Sequence, residues 1–248
     1  YGHRDHRGGG RSSGRETVAR VIAGVVAAKV LPPEVTVTAH ALQIGPHRAV
    51  RYEPATIDQN PVRCADPEVA KSMEAYVLEL KGAYDSTGGL VEIRVAGTPP
   101  HLGEPVFGKL KADLAAGLFS LPAVVGVEYG AGFGAAAMRG SAHNDPFTVD
   151  GDGALRTTSN HHGGILGGIS SGMPIVLRAA VKPTSSIPRP QATVRADGSP
   201  AEIEVRGRHD PCLLPRFVPM AEAMVAWVLA DHWLRHVAQT RSYPSPES

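Results

Sequence analysis

Four short segments hold side chains whose types and spacing suit the chemistry of anions. Arg11-Ser12-Ser13-Gly14-Arg15-Glu16 stands at a helix start. Free backbone N–H groups, hydroxyls and guanidiniums at such a place suit a phosphate or carboxylate. The same residues also read as a plain capping box, Ser13 and Glu16 three apart, with solvated arginines. Asn160-His161-His162-Gly163-Gly164-Ile165-Leu166-Gly167-Gly168-Ile169-Ser170-Ser171-Gly172 is dense in glycine. Glycine lets a backbone approach a ligand or another backbone closely, and tight turns or bulges use it equally well. Lys182-Pro183-Thr184-Ser185-Ser186 offers an ammonium and three hydroxyls directly after a strand. That is a phosphate cradle or a Ser/Thr-rich turn. In Arg206-Gly207-Arg208-His209-Asp210-Pro211-Cys212, Arg208 and Asp210 read either as an anion clamp and a general base or as a surface ion pair.

Weaker signals lie outside these segments. His232 and His236 have the i, i+4 spacing of a two-histidine metal site, but Trp233 stands where a zincin carries its Glu. They are expected on a solvated helix face, with no metal. His143-Asn144-Asp145 is a polar cluster without metal-ligand spacing. The basic start, with Arg4, Arg7, Arg11 and Arg15, lacks the repeats and interleaved aromatics of an RNA-binding arm.

The elements that must position these residues follow from periodicity. Val18, Val21, Ile22 and Val25 predict a helix over 14–31, stopped by Pro32-Pro33. Residues 35–44 read as a strand. Asp66-Pro67-Glu68 combines an N-cap, a first-position Pro and a first-turn acid, and Val69, Met73, Tyr76, Val77 and Leu80 continue a helix to Gly82. Strands are expected over 90–95, 124–129 and 174–181, and a helix over 105–120. Residues 132–162 read as irregular. Asp197-Gly198 predicts a hairpin turn before a strand at 203–205. A last helix is expected over 220–237, with 1–238 as the core and 239–248 as a frayed tail. Helices and strands mixed in this way give the α+β class.

Composition bounds the rest. Lys+Arg 25 against Asp+Glu 24 leaves a net charge of +1 in 248 residues, so no global field favours nucleic acid. The 28 glycines and 21 prolines exceed average usage without a collagen period, which fits an ordered, loop-rich protein. Two cysteines cannot form a disulfide framework for this length. The longest apolar stretch, 21–28, falls far below the roughly 20 residues of a membrane span. A cytoplasmic protein with no membrane or nucleic-acid partner is the expectation.

The order of the segments carries more than each alone. Asp5-His6-Arg7-Gly8-Gly9-Gly10-Arg11-Ser12-Ser13, Gly88-Gly89, Gly103-Glu104-Pro105-Val106-Phe107 and Gly126-Val127-Glu128 resemble signatures of the chorismate synthases. So do His143-Asn144-Asp145, the glycine segment from Gly163 to Gly172, Lys182 to Ser186, and Arg206 to Cys212. The resemblance runs from residue 1 to about residue 236.

It implies a β-α-β sandwich that assembles as a homotetramer. It implies a phosphate-eliminating lyase of aromatic amino acid biosynthesis, which converts 5-enolpyruvylshikimate 3-phosphate to chorismate and phosphate. The reaction is an anti 1,4-elimination that needs reduced FMN, with NADPH as a source of the reduction. By motif, Arg11, Ser12, Ser13, Ala123, Gly167, Lys182, Pro183, Thr184, Ser185, Ser186 and Arg208 would serve the flavin. Arg15 and Arg208 would bind the substrate, and Asp210 would assist proton removal.

The chain departs from the family pattern at three places. Pro122 precedes Ala123 where an amide side chain is usual, Gly14 replaces Ala, and Gly108 stands where Asp is frequent. The family's Gly-Glu-Ser-His-Gly and Pro-Gly-His-Ala-Asp motifs, each with a catalytic His, do not occur. With the start at Tyr1, the expectation is an N-terminally truncated piece of a longer enzyme. The alternative is a catalytically incomplete flavin-binding or subunit-binding remnant.

Overall fold

Asp66 begins the helix that the sequence marks most clearly. In the computed structural model, which describes residues 10, 13–151 and 153–241, its carboxylate accepts the N–H groups of Glu68 and Val69 at 3.2 and 3.4 Å. It also accepts those of Val50 and Arg51 at 3.1 and 3.0 Å. Burial opposes its charge, but the four donors outweigh burial and hold the carboxyl below the usual range. Helix α2 follows as Pro67–Gly82, the span the sequence predicts.

Numbered along the chain, α1 is Thr17–Ala28, β1 Thr36–Ile44, β2 His47–Arg48, β3 Gly89–Ala96, α3 Leu110–Phe119 and β4 Val124–Tyr129. Then come α4 Gly140–His143, β5 Phe147–Val149, β6 Leu155–Thr157, β7 Ile165–Leu166, β8 Ile169–Ser170 and β9 Ile175–Val181. The chain closes with β10 Gln191–Val194, β11 Pro200–Ile203 and α5 Leu214–Arg241. Five strands form one sheet in the order β2-β1-β3-β9-β4, and β5-β6, β7-β8 and β10-β11 are separate pairs.

Two compact units divide the described residues. The first draws on Tyr1–Ala39, Glu92–Ala179 and Pro219–Ser248, the second on His40–Val91 and Ala180–Val218. In the first, Ile93, Val95, Leu110, Leu114, Leu118, Ile175, Leu177 and Leu229 are buried. Glu92 is buried there too and is held by Arg94 at 2.7 Å and Arg178 at 2.8 Å. Helix α1 is apolar on more than one side, and Val18, Ile22, Val25 and Val26 are exposed. In the second unit Ile44, Cys64, Met73, Val91 and Leu214 are buried.

Several expectations shift. Residues 14–16 form a 3₁₀ turn, and Ser13 accepts from the Arg15 N–H at 3.3 Å rather than closing a box with Glu16. The helix expected over 105–120 starts only at Leu110, because Glu104 and Gly108 pair as a β-bridge, with Glu104 N–H donating to Gly108 O at 2.6 Å. The strand expected at 203–205 lies at Pro200–Ile203, since Val194 pairs with Pro200 across the turn. Helix α5 begins at Leu214 and runs to Arg241, so residues 239–241 are helical rather than frayed. Proline at Pro219 sits in the second turn, close enough to the start to be tolerated. The region 132–162 is less irregular than expected, with a 3₁₀ helix at Gly132–Ala137, α4 and the β5-β6 hairpin.

His232 overturns its expectation. It is 2% exposed, and its Nε2 lies 2.9 Å from Asp113 Oδ2. The α5 face carrying it is therefore packed, not solvated. His236 stacks on Trp233 at 5.9 Å. No group of three or more His, Cys, Asp or Glu among the described residues can hold a metal ion. Cys64 and Cys212 are both free and buried.

Candidate active site

Strand β9 ends at Val181, and the chain leaves it as Lys182-Pro183-Thr184-Ser185-Ser186. Gly88 fixes where this loop lies, because a Cβ there would sit 2.3 Å from Val181 O and 3.0 Å from Pro183 N. The Ser86 hydroxyl donates to Thr184 O at 2.7 Å. Lys182 is exposed, and its Nζ lies 3.4 Å from Ser185 Oγ. The Thr184 hydroxyl is buried and has no hydrogen-bond partner. Such a group is costly to leave unmet.

The second loop, Arg206 to Cys212, is anchored at its end. Thr87 N–H donates to Pro211 O at 2.8 Å, and Thr87 and Cys212 form a parallel bridge. Burial pushes the Cys212 thiol up to about 11, so it stays protonated at neutral pH. Asp210 pairs with Arg216 at 3.2 Å, not with Arg208. Arg208 is exposed, with no carboxylate partner among the described residues.

A cleft of about 240 Å³ brings Ser186, Arg208 and Asp210 together. Its wall also holds Lys81, Tyr84 and His209, which the sequence did not single out. Tyr84 follows α2 with φ of 55°, in the left-handed region that a bulky residue seldom occupies. A carboxylate at Asp85, 2.8 Å from Arg189, joins the α2 end to the stretch after Ser186. Loop and helix end meet through tertiary contact, and no spacing rule reports that.

The first unit holds the other sequence-derived candidates. Ser13 caps the 3₁₀ turn, and Arg15 is exposed. Ala123 enters β4 with φ of 69°. Gly167 lies in the turn joining β7 to β8, with φ of 61° and open space where a Cβ would be. Arg11 and Ser12 lie outside the described residues.

Residues 1–234 match the family model described as chorismate synthase. The chain belongs to the chorismate synthase family. A chorismate synthase of Chloroflexus aggregans is 56% identical over 236 residues, 95% of this chain and 65% of that protein. One from Methanothermobacter thermautotrophicus is 54% identical over 237 residues, 93% of this chain and 63% of that protein. A solved structure titled "Crystal Structure of Chorismate Synthase" matches with a TM-score of 0.76 at 28% identity, covering 91% of this chain and 65% of that one. The chain thus spans about two thirds of the length of the chorismate synthases it matches. Its mixed α and β architecture is that of the family. No helix among the described residues is long and apolar enough to cross a membrane.

Proposed function

We propose that the chain provides the flavin-holding and proton-removing part of a chorismate synthase. The reaction converts 5-enolpyruvylshikimate 3-phosphate to chorismate and phosphate by anti 1,4-elimination, with reduced FMN as cofactor. What carries the reading is the cleft that holds Ser186, Arg208 and Asp210 together.

The residues present fit a phosphorylated flavin. Among the described residues, Lys182 offers an exposed ammonium, Arg208 a guanidinium with no carboxylate partner, and Thr184 a buried hydroxyl with no hydrogen-bond partner. Lys182, Pro183, Thr184, Ser185 and Ser186 would hold the cofactor's phosphate side. In this reading Ser13, Ala123 and Gly167 also serve the flavin, and Arg15 serves the substrate. When bound, reduced FMN supplies transient electron density to the substrate ring.

Asp210 does the proton work. Its Oδ1 lies 3.2 Å from Arg216, and its Oδ2 has no donor among the described residues. It assists removal of the ring proton, while the C–H pair forms one new double bond, the existing ring double bond shifts by one position and the C–O bond to phosphate breaks. Arg208 offsets the negative charge gathered there. We assign the active form to a cytoplasmic homotetramer with 1–238 as its core, and NADPH as the source of reduced flavin.

The second reading, a flavin-binding or subunit-binding remnant, draws on the two histidine motifs that the 248 residues lack. One experiment separates the two. The chain is fused to the part of the Chloroflexus aggregans relative outside the match and assayed with dithionite-reduced FMN. The first reading expects chorismate from the fusion, none from the 248 residues alone, and loss of product in the fusion with Asp210→Asn. A fusion that binds FMN and forms no chorismate supports the remnant. In both readings Lys182→Ala weakens FMN binding at least tenfold by fluorescence titration, and unchanged affinity would count against the phosphate-holding role.

A further inference from the structure

The first unit contains a second cleft, of about 260 Å³. Val127, Phe133 and Ala135 give it an apolar wall, and His143, His161 and His162 also line it. Phe133 is 83% exposed, so its ring is open for stacking. The rings of His143 and His162 meet edge-on at 4.6 Å, and His161 stacks on His143 at 5.9 Å.

Asp145 holds this group in place. Its side chain is only 3% exposed. It accepts the main-chain N–H groups of His161 and His162 at 2.8 and 2.9 Å and the Ser159 hydroxyl at 2.7 Å. Its Oδ2 also lies 2.8 Å from His162 Nδ1. Burial opposes the charge, but the donors outweigh burial and keep the carboxyl well below the usual range.

A carboxylate so placed only accepts, so His162 Nδ1 carries a proton, and in the neutral imidazole the lone pair is on Nε2. No protein group among the described residues donates to that Nε2. Glu128, also in the cleft wall, is neutralised by Arg178 at 3.2 Å. The cleft therefore presents the Nε2 of His162 beside a flat apolar surface.

We propose that this cleft is a binding site for a small neutral aromatic hydroxyl compound, whose ring lies on Phe133 and whose O–H donates to His162 Nε2. The volume suits a single ring. Asp145 fixes the direction of Nε2, as a carboxylate does behind a working histidine. The site is independent of the flavin reading, because none of the flavin-assigned residues lines it.

The test uses the 248-residue chain with 4-methylphenol at neutral pH, followed by equilibrium dialysis and by ¹⁵N imidazole NMR. Saturable binding at millimolar concentration is expected, with the His162 Nε2 resonance moving. The methyl ether 4-methylanisole has the same ring without the donor, and it should bind at least tenfold more weakly. His162→Ala should abolish the preference for the phenol, and His162→Gln should leave it weak. Lys182→Ala should leave 4-methylphenol binding unchanged. Equal binding of phenol and ether by the unaltered chain would overturn the proposal. So would an absence of saturable binding, or loss of binding in Lys182→Ala, which would place the compound in the flavin cleft instead.

Discussion

The two clefts differ in how their polar groups are held. In the second unit Lys182 and Arg208 are exposed and have no carboxylate partners among the described residues, and the Thr184 hydroxyl finds no hydrogen-bond partner there. In the first unit Asp145 is clamped by Ser159, His161 and His162, and it in turn fixes the His162 ring. Exposed cations without a carboxylate partner contribute little to folding and are open to an outside anion. A buried and fully satisfied carboxylate is part of the fold, and it preorganises what it touches. The two arrangements therefore respond to mutation in opposite ways.

The largest effect is expected at Asp145. Asp145→Ala would leave buried donors unmet and lower stability by about 3 kcal/mol or more, as read by urea unfolding. A loss under about 1 kcal/mol would break the contrast. The carboxyl is depressed in the fold, so its contribution is complete above the unfolded value of about 3.9 and declines as pH falls towards the folded one. Acid unfolding below about pH 4 should accordingly be steeper in the unaltered chain than in Asp145→Asn.

A smaller difference separates two glycines. A Cβ at Gly163, φ 56°, would lie 2.4 Å from Gly130 N, against rigid backbone. Gly163→Ala should cost about 2–3 kcal/mol through strain and overpacking. Gly167 has a similar φ of 61° and no neighbour within 4 Å, so Gly167→Ala should cost only about 1 kcal/mol. Thermal melts of both variants give the order, and equal losses would show that the loop around Gly163 yields.

Smaller still, Lys182→Ala and Arg208→Ala should change stability by no more than about 0.5 kcal/mol while weakening FMN binding. A large loss of stability in either would mean that the exposed cations support the fold. The least effect is expected at Cys212. Its thiol, raised to about 11 by burial, should resist alkylation at pH 8 until the chain unfolds, as followed by mass spectrometry.

Much of this was legible in the chain. The Asp66-Pro67-Glu68 start, the Gly82 stop and the motifs around Lys182 and Arg208 depend on neighbours close in sequence, and α2 appears as read. His232 was misread because its partner Asp113 is 119 residues away, beyond the reach of helical spacing. Tyr84 and Lys81 carry no motif and enter the cleft only because the end of α2 meets the loops after β9 and β11. The link from Asp145 to His161 and His162 spans 16 and 17 residues, so the sequence displayed two polar clusters and not one.

By itself the sequence determined the family, the α+β class and the span of α2. These rest on local backbone preferences and on the order of short motifs. Tertiary structure alone decided which charges are spent inside the protein and which remain open. That choice follows from burial, since a charge removed from water must find a partner nearby, and position along the chain says little about which partner is near.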